Sequence, residues 1–337
     1  MNDLSSLVEK ILVCPDTHQP LRFDGTKLTT SDGVRTYPIV DGIPVLLSNE
    51  ITPNFWVIEI SKKKAAGSMP LEDMPDPETL EGKLQPIRFV REMQRATSGH
   101  LYAHLTEDLK AYPIPTIRLP PGNGKVLLDI GSNWGRWVVS AARAGYTVVG
   151  VDVHLEGLRA ARRVCAQLGV KALLICGDAR KLPLQDSSFH TVFSYSVLQH
   201  FSRSDFDLAL AEVSRVLHPA GNVLIQMPNR LGVRNVYNQT RSGFREENFD
   251  VRYYFPSELV RYGRRYFDNV RTSIDGFFGL GIQPTDRAFF TSFGKAVCLA
   301  SESLRHSLRY LPGSEWLADS LYVHLEHPRR HSPTPHI

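Results

Sequence analysis

The chain has 337 residues, 42% hydrophobic and 22% charged, with a formal charge of +4. That length suggests two or three domains, and the composition is that of a soluble globular chain, neither fibrous nor disordered. No run approaches about 18 consecutive apolar residues, which excludes a spanning helix, and no basic-then-apolar leader is visible. Cys14, Cys165, Cys176 and Cys298 lie far apart, with no Cys-x-x-Cys pair, so a reducing, cytoplasmic setting is expected. Residues 228–337 hold 15 Lys+Arg against 11 Asp+Glu, while residues 1–227 hold 24 of each. The whole surplus lies in the last third, and it is too small to mark a nucleic-acid protein.

Taken in chain order, Leu4 to Val13 reads as a short amphipathic segment. Extended runs follow at Pro20–Phe23, Lys27–Thr30 and Val45–Leu47, separated by Asp24-Gly25, Asp32-Gly33 and Asp41-Gly42. Asp-Gly pairs favour tight turns because Gly accepts positive φ. Prolines 53, 70, 75, 77 and 86 predict a linker or irregular wrap. Ile87 to Leu109 is expected to be helical. From 124 strands alternate with helices. The expected strands are Lys125–Ile130, Thr147–Asp152, Ala172–Cys176, Thr191–Ser194 and Gly221–Gln226. The helices are Trp134–Ala144, Leu155–Leu168 and Asp205–Leu217, the last with Ser204 as N-cap. This alternation predicts a parallel sheet with helices on both faces. Beyond it come a helix near Ser257–Tyr266, a strand near Asn269–Ile274, a helix around Arg287–Tyr310 and a strand at Ser320–His324.

The sharpest motif is Val126-Leu-Leu-Asp-Ile-Gly-Ser-Asn-Trp-Gly135, a buried strand running into a glycine turn and a helix. Ligands of open α/β sheets bind at such strand ends. Gly131 permits close backbone approach, Gly135 permits close helix packing, and Asn133 tolerates left-handed geometry. A dinucleotide site prefers Gly-x-Gly-x-x-Gly. Here the spacing is Gly-x-x-x-Gly, with Asp129 two residues before the first glycine. An anion there repels a diphosphate and suits an ammonium group. Asp152 ends the next strand, 21 residues after Gly131, where a carboxylate can accept both ribose hydroxyls. Asp178 in Gly177-Asp178-Ala179 can accept from an adenine amino group.

Residues 124–227 resemble the class I methyltransferases that bind S-adenosylmethionine. The resemblance rests on the glycine motif, Gly150-Val-Asp152, Gly177-Asp-Ala-Arg-Lys-Leu-Pro-Leu, Phe193-Ser-Tyr-Ser-Val-Leu-Gln-His-Phe and Val216-Leu-His-Pro-Ala-Gly-Asn-Val-Leu-Ile. It is most similar to the quinone-biosynthesis and tRNA-wobble-uridine branch. Asn133 departs from the family's glycine. The resemblance implies an α/β, Rossmann-like seven-stranded sheet and S-adenosylmethionine as co-substrate. It implies Asp129 and Gly131 at the methionine end, with Ser132, Asn133 and Gly135 in the same loop. Asp152 would hold the ribose, Asp178 and Ala179 would lie near the adenine, and Val153 and Tyr195 would lie beside the cofactor.

The sulfonium activates its own methyl group, so transfer needs mainly an oriented acceptor. His200 is the candidate base, or else a structural His capping the next helix or lining the cleft. Residues 194–197 read Ser-Tyr-Ser-Val and lack the Asn/Asp-Pro-Pro-Tyr that holds a planar amino group. That favours an oxygen or carbon acceptor. Twelve Phe or Tyr lie between 244 and 290. With Arg252, Tyr253 and Tyr254 they predict an apolar pocket for a small aromatic or lipidic acceptor. RNA of the tRNA type is the alternative acceptor, on the activator-like amino-terminal module described next and the arginines at 241, 245, 252, 261, 264 and 265. A non-catalytic S-adenosylmethionine-binding protein is the third reading.

Leu12-Val-Cys-Pro-Asp-Thr-His-Gln-Pro-Leu21 and Tyr37-Pro-Ile-Val-Asp-Gly-Ile-Pro-Val-Leu-Leu47 resemble the small zinc-ribbon activator subunit of tRNA, rRNA and release-factor methyltransferases. That family's metal form uses two Cys-x-x-Cys pairs. Here Thr17 replaces one cysteine and the other pair is missing. A tetrahedral site needs four ligands, which Cys14 and His18 cannot supply alone, so no metal is expected. The expected organisation is an activator-like, β-rich module at 1–50 and a linker and helical wrap at 51–123. A methyltransferase domain follows at 124–327, its cofactor half 124–227 and its acceptor-shaping part 228–327. A flexible tail at 328–337 ends the chain.

Overall fold

Seven strands form one sheet, and its order reverses in the middle. A computed structural model describes residues 10–75, 86–97, 109, 111–247, 249–279 and 283–329. The seven strands are β5 (Val126–Ile130), β6 (Thr147–Asp152), β7 (Ala172–Cys176), β8 (Phe189–Ser194), β9 (Leu217–Pro228), β10 (Phe267–Gly276) and β11 (Ser320–Pro328). Their order in space is β10-β11-β9-β8-β5-β6-β7. The strands β5 to β9 run parallel, while β11 lies antiparallel between β9 and β10. The chain winds outward from β5 through β6 to β7, then returns to β8 on the other side. The switch point is therefore the gap between the carboxyl ends of β5 and β8. Four residues of Val-Leu-Leu-Asp-Ile are buried because this central strand is covered on both faces.

The helices after the strands follow the sequence closely. Helix α3 spans Arg136–Arg143 and α4 spans Leu155–Gln167. Helix α5 starts at Arg203 and ends at Val216. Its N-cap is Ser202, whose Oγ accepts from the Asp205 N–H at 3.0 Å, so Ser204 is not the cap. Asp205 lies in the first turn, toward the positive end of the helix dipole. Two helices were not expected. One is α1 (Trp56–Ala65), inside the proline-rich segment. It buries only Ile58 and Ser61, which leaves no apolar period in its sequence. The other is α6 (Val233–Ser242). The linker helix α2 spans Arg88–Thr97, and the rest of that expected helix, apart from Ile87 and Leu109, lies outside the described residues. So do most of Leu4–Val13 and most of the tail. Helix α7 (Pro256–Gly263) follows α6, and α8 (Ser292–Leu308) precedes β11.

The amino-terminal sheet has four antiparallel strands, β1 (Leu21–Phe23), β2 (Lys27–Thr30), β3 (Thr36–Val40) and β4 (Ile43–Pro44). Asp41 and Gly42 have φ of 52° and 74° and close a two-residue hairpin between β3 and β4. Directly after β4 the chain joins the large sheet. The Leu46 N–H donates to the Cys176 carbonyl at 2.7 Å, and Val45 bridges Cys176 in parallel. The segment before β1 also pairs with the domain, because Val13 donates to Pro183 and Gln185 donates to Ile11. Backbone just after the small sheet thus pairs with the carboxyl end of the edge strand β7.

A charged latch holds this contact. Asp41 accepts from Arg159 at 3.1 Å and from Arg162 and Arg163 at 2.7 Å each, all on α4. Burial would raise the Asp41 pKa, but the Arg163 hydrogen bond and the three guanidinium charges outweigh it and hold it low. A depressed carboxylate contributes stability above its unfolded value and loses it as pH falls through the folded value. Asp41→Ala is expected to cost about 2 kcal/mol at pH 7, roughly 4–8 °C of melting temperature. Thermal melts across pH check this. The difference from the parent should shrink only as pH falls below the ordinary carboxylate range, through the depressed folded value of Asp41, where both carry a neutral group.

Candidate active site

The loop between β5 and α3 needs three left-handed residues in five. Gly131, Asn133 and Gly135 have φ of 81°, 41° and 86°. Asn133 thus adopts the geometry that made it acceptable in a glycine's place. Gly131 has no room for a side chain, since an added Cβ would lie 2.1 Å from Val197 Cγ2. At Gly135 an added Cβ would meet Ala161 Cβ at 3.1 Å, so the glycine lets α3 and α4 approach.

Around this loop, buried polar atoms lack partners. Asp129 is 1% exposed, and its Oδ2 makes no hydrogen bond among the described residues. Ser132 Oγ and Asn133 Oδ1 are in the same condition. Orphaned buried groups are costly and uncommon, and these three lie within five residues, at the end of β5 and in the turn that follows it. Burial, reinforced by the negative charge of Asp152, pushes the Asp129 pKa up to about 8. The carboxyl is held in a state that a nearby cation would reverse.

Asp152 is joined to the loop. Its Oδ2 accepts from the Asn133 N–H at 2.9 Å and its Oδ1 from the His154 N–H at 2.8 Å. Val153 follows it, and its carbonyl accepts from Ser61 Oγ at 2.7 Å. The same Oγ accepts from the Leu155 N–H, so a serine of α1 braces the turn and the start of α4. Sequence reasoning missed Ser61, because one polar residue in an aperiodic segment carries no signal. Phe89 of α2 packs on the His154 ring at 5.8 Å, which brings the linker helix over this end of the sheet.

Asp178 is engaged elsewhere. Its carboxylate is paired with Arg180, Nη2 to Oδ2 at 2.7 Å, and accepts the Arg180 N–H. Arg180 also reaches Asp205 at 3.1 Å and the Thr52 carbonyl at 3.2 Å. Ala179 beside it is buried. This cluster ties the strand end to α5 and to the wrap, and it was not foreseen.

Tyr195 lies in a buried network that sequence could not assemble. Its hydroxyl donates to Asp275 Oδ2 at 2.7 Å and accepts from Gln283 Nε2 at 2.8 Å. Asp275 also accepts from Ser320 Oγ at 2.7 Å and from Arg118 Nη1 at 2.9 Å. Gln226 links Ser320 to Ser196, whose N–H it accepts at 2.8 Å. Residues from the wrap, β9, β10 and β11 thereby converge on the tyrosine. Burial and then the Asp275 charge push the Tyr195 pKa well up, so it remains a neutral donor.

His200 ends a short 3-10 turn, Leu198–His200. Its Nδ1 bonds the Phe249 carbonyl at 2.8 Å, which places the proton on Nδ1. The ring stacks on Phe249 with centroids 4.0 Å apart, and Gln199 Nε2 lies 3.3 Å from Nε2. Burial lowers the His200 pKa, against the opposing Phe249 hydrogen bond. The imidazole is neutral at pH 7.

The three acceptor candidates separate. Arg252 is buried, and its Nη1 donates to the His200 carbonyl at 2.6 Å and the Asp250 carbonyl at 3.0 Å. Tyr254 is fully buried against Phe206, with the Arg203 guanidinium 4.1 Å from its ring centre. Tyr253 lines an open cavity with Asn238, Arg241, Arg245 and Asp250.

Residues 127–221 match the family described as "Methyltransferase domain". The chain is 36% identical over 99 residues to the biotin biosynthesis bifunctional protein BioHC of Cellvibrio japonicus, covering 29% of this chain and 19% of that one. It is 27% identical over 150 residues to the ubiquinone biosynthesis O-methyltransferase of a Chelativorans species, covering 44% and 56%. The chain therefore spans less than two thirds of either relative. A solved S-adenosylmethionine-dependent methyltransferase from Archaeoglobus fulgidus aligns over 71% of this chain and 98% of its own, at 13% identity and a TM-score of 0.44. The strand order and the family match make this the class I, S-adenosylmethionine-dependent methyltransferase fold.

Proposed function

We propose that the protein is an S-adenosylmethionine-dependent methyltransferase that delivers the methyl group in line to oxygen or carbon of a small organic acceptor. The observation that carries this reading is the set of three orphaned polar atoms, Asp129 Oδ2, Ser132 Oγ and Asn133 Oδ1, at the switch point. Their donor set fits an amino-acid end: a carboxylate for an ammonium, and a hydroxyl and an amide beside it. When bound, S-adenosylmethionine supplies a methyl group already activated by its sulfonium. The chain's own residues then bind and orient. Asp129 pairs with the ammonium, Asp152 accepts from the ribose hydroxyls, and Val153 and Ala179 pack beside the nucleoside. Asp178 takes part only through the oxygen capacity left by Arg180. Tyr195 holds the floor of the cleft through its bond to Asp275.

An oxygen acceptor is supported by the missing Asn/Asp-Pro-Pro-Tyr after β8 and by the O-methyltransferase among the relatives. No observation favours RNA. Arg252 is committed to backbone carbonyls, and Arg265 pairs with Asp207 at 2.9 Å. Incubating labelled S-adenosylmethionine and the enzyme with fractionated cell extract tests the reading. Label should enter an organic-soluble small molecule, and label confined to RNA or protein defeats it.

His200 acts in this proposal by holding Phe249 and the loop behind it, since both ring nitrogens already have partners. His200→Gln should lower turnover less than tenfold and leave the pH profile in place. A general base would instead lose about 100-fold or more with the acid limb removed. The amino-terminal module serves as a metal-free brace of the β7 edge. Cys14 Sγ lies 3.1 Å from the Tyr37 hydroxyl. Elemental analysis of tag-free protein should give far less than one zinc per chain.

A further inference from the structure

Ser196, two residues past the end of β8, has φ of 59°. An L-residue avoids this region, and one that stays there is held by its surroundings. Here the holder is one side chain. Gln226 Oε1 accepts from the Ser196 N–H at 2.8 Å and from its Oγ at 3.0 Å. Gln226 is fully buried on β9, one residue past Ile225, which pairs with Ser194 at the end of β8.

The direction of the Gln226 amide is itself fixed. The Asp275 carboxylate pairs with Arg118 and accepts from the Tyr195 hydroxyl and from Ser320 Oγ, at 2.7 Å each. The Ser320 hydroxyl therefore directs its proton to Asp275 and offers a lone pair to Gln226 Nε2 at 2.8 Å. The amide oxygen is left to face Ser196. These bonds close a ring, from Tyr195 through Asp275, Ser320 and Gln226 to Ser196, the next residue in the chain. Strands β9, β10 and β11 each supply one member.

The residue after Ser196 touches the glycine loop. Val197 lies so close to Gly131 that a Cβ added there would meet three of its side-chain atoms within 3 Å. Rotation of Ser196 to negative φ would redirect the chain and carry Val197 off this contact.

We propose that Gln226 is a positioning residue for the cofactor: it holds Ser196 left-handed and so keeps Val197 against Gly131 as a wall of the methionine end. The proposal rests on the methyl-transfer reading. Calorimetry of the full chain with S-adenosylmethionine tests it, below the melting temperature of every variant. Gln226→Met keeps the length of the side chain and removes both polar ends. It should bind about tenfold more weakly, the size of the left-handed strain that the ligand must then restore. Adding Ser196→Gly to Q226M should recover most of this loss, because glycine takes positive φ unaided. A purely structural role for Gln226 would lower the melting temperature and give no such rescue. Ser196→Val leaves Gln226 in place, but a β-branched residue resists this φ, so it too should bind about tenfold more weakly. It decides the matter if Q226M does not fold. The proposal falls if folded Q226M or S196V binds as tightly as the parent, or if Q226M/S196G binds no better than Q226M. A parent that does not bind S-adenosylmethionine defeats the methyl-transfer reading and the proposal together.

Discussion

Asp129→Asn is expected to bind S-adenosylmethionine about 100-fold more weakly than the parent, the loss that goes with one buried charge-assisted contact. The same variant should melt higher without ligand. The parent carboxyl has its pKa raised to about 8 by burial and by Asp152. A raised carboxylate works against folding as pH climbs from the unfolded value toward 8, because the unfolded chain ionises more easily. An amide has no such penalty, so a gain of about 3 °C or more at pH 8 is expected. Isothermal calorimetry and thermal melts report the two effects separately, and they have opposite signs. Calorimetry across pH gives a further signature. Parent affinity should rise by about tenfold per unit below pH 8, where Asp129 must first lose its proton. It should fall again above 8, where an α-amino group becomes neutral. Asp129→Asn should lack the rising limb. Equal affinity of parent and variant would place the methionine end elsewhere.

Gly131→Ala should be strongly destabilising, because it combines an unfavourable backbone conformation with a close contact. The residue holds φ at 81°, which costs an L-residue about 1–2 kcal/mol. The new Cβ would also lie within 3 Å of three Val197 side-chain atoms. Overpacking of this kind costs about 1–3 kcal/mol more. The sum predicts a melting temperature lower by roughly 5–15 °C, together with weaker binding of S-adenosylmethionine. The obstacle is one side chain and no backbone, so Val197→Gly in the same chain should recover the packing part and leave the backbone part. A double-mutant cycle measured by melting checks this. Full additivity of the two losses would show that the contact with Val197 is not the cause.

The parts of the fold that were legible are those where one strand or helix carries its own pattern. Val-Leu-Leu-Asp-Ile is buried on both faces and reads as a central strand. The Asp-Gly pairs announce their turns, and α4 begins at Leu155 as its apolar period implies. The illegible parts depend on distant partners. Helix α1 has no apolar stripe because its contribution is one serine that braces Val153. Helix α6 has the reverse of a core stripe, so its period points the wrong way. The start of α5 moved because Ser202 and Ser204 are chemically equal candidates, and only the backbone path chooses between them. At the site, the loop and Asp152 were readable from strand ends. The Arg180 cluster and the Asp275 network were not, since their members come from segments separated by tens to more than a hundred residues.

The pairing of Leu46 with Cys176 has a consequence for synthesis. The hairpins of the small sheet are local and can close as soon as they emerge. Their outer contacts, with Cys176 and with Pro183 to Gln185, belong to chain made about 130 to 170 residues later. Until then the early module carries an unpaired strand end, and afterwards the same bonds engage the carboxyl end of β7. The amino terminus thus behaves as a built-in escort, waiting on its own downstream sequence and joining it when the third parallel strand arrives. A chain cut between the two would leave both faces of that joint open to other molecules.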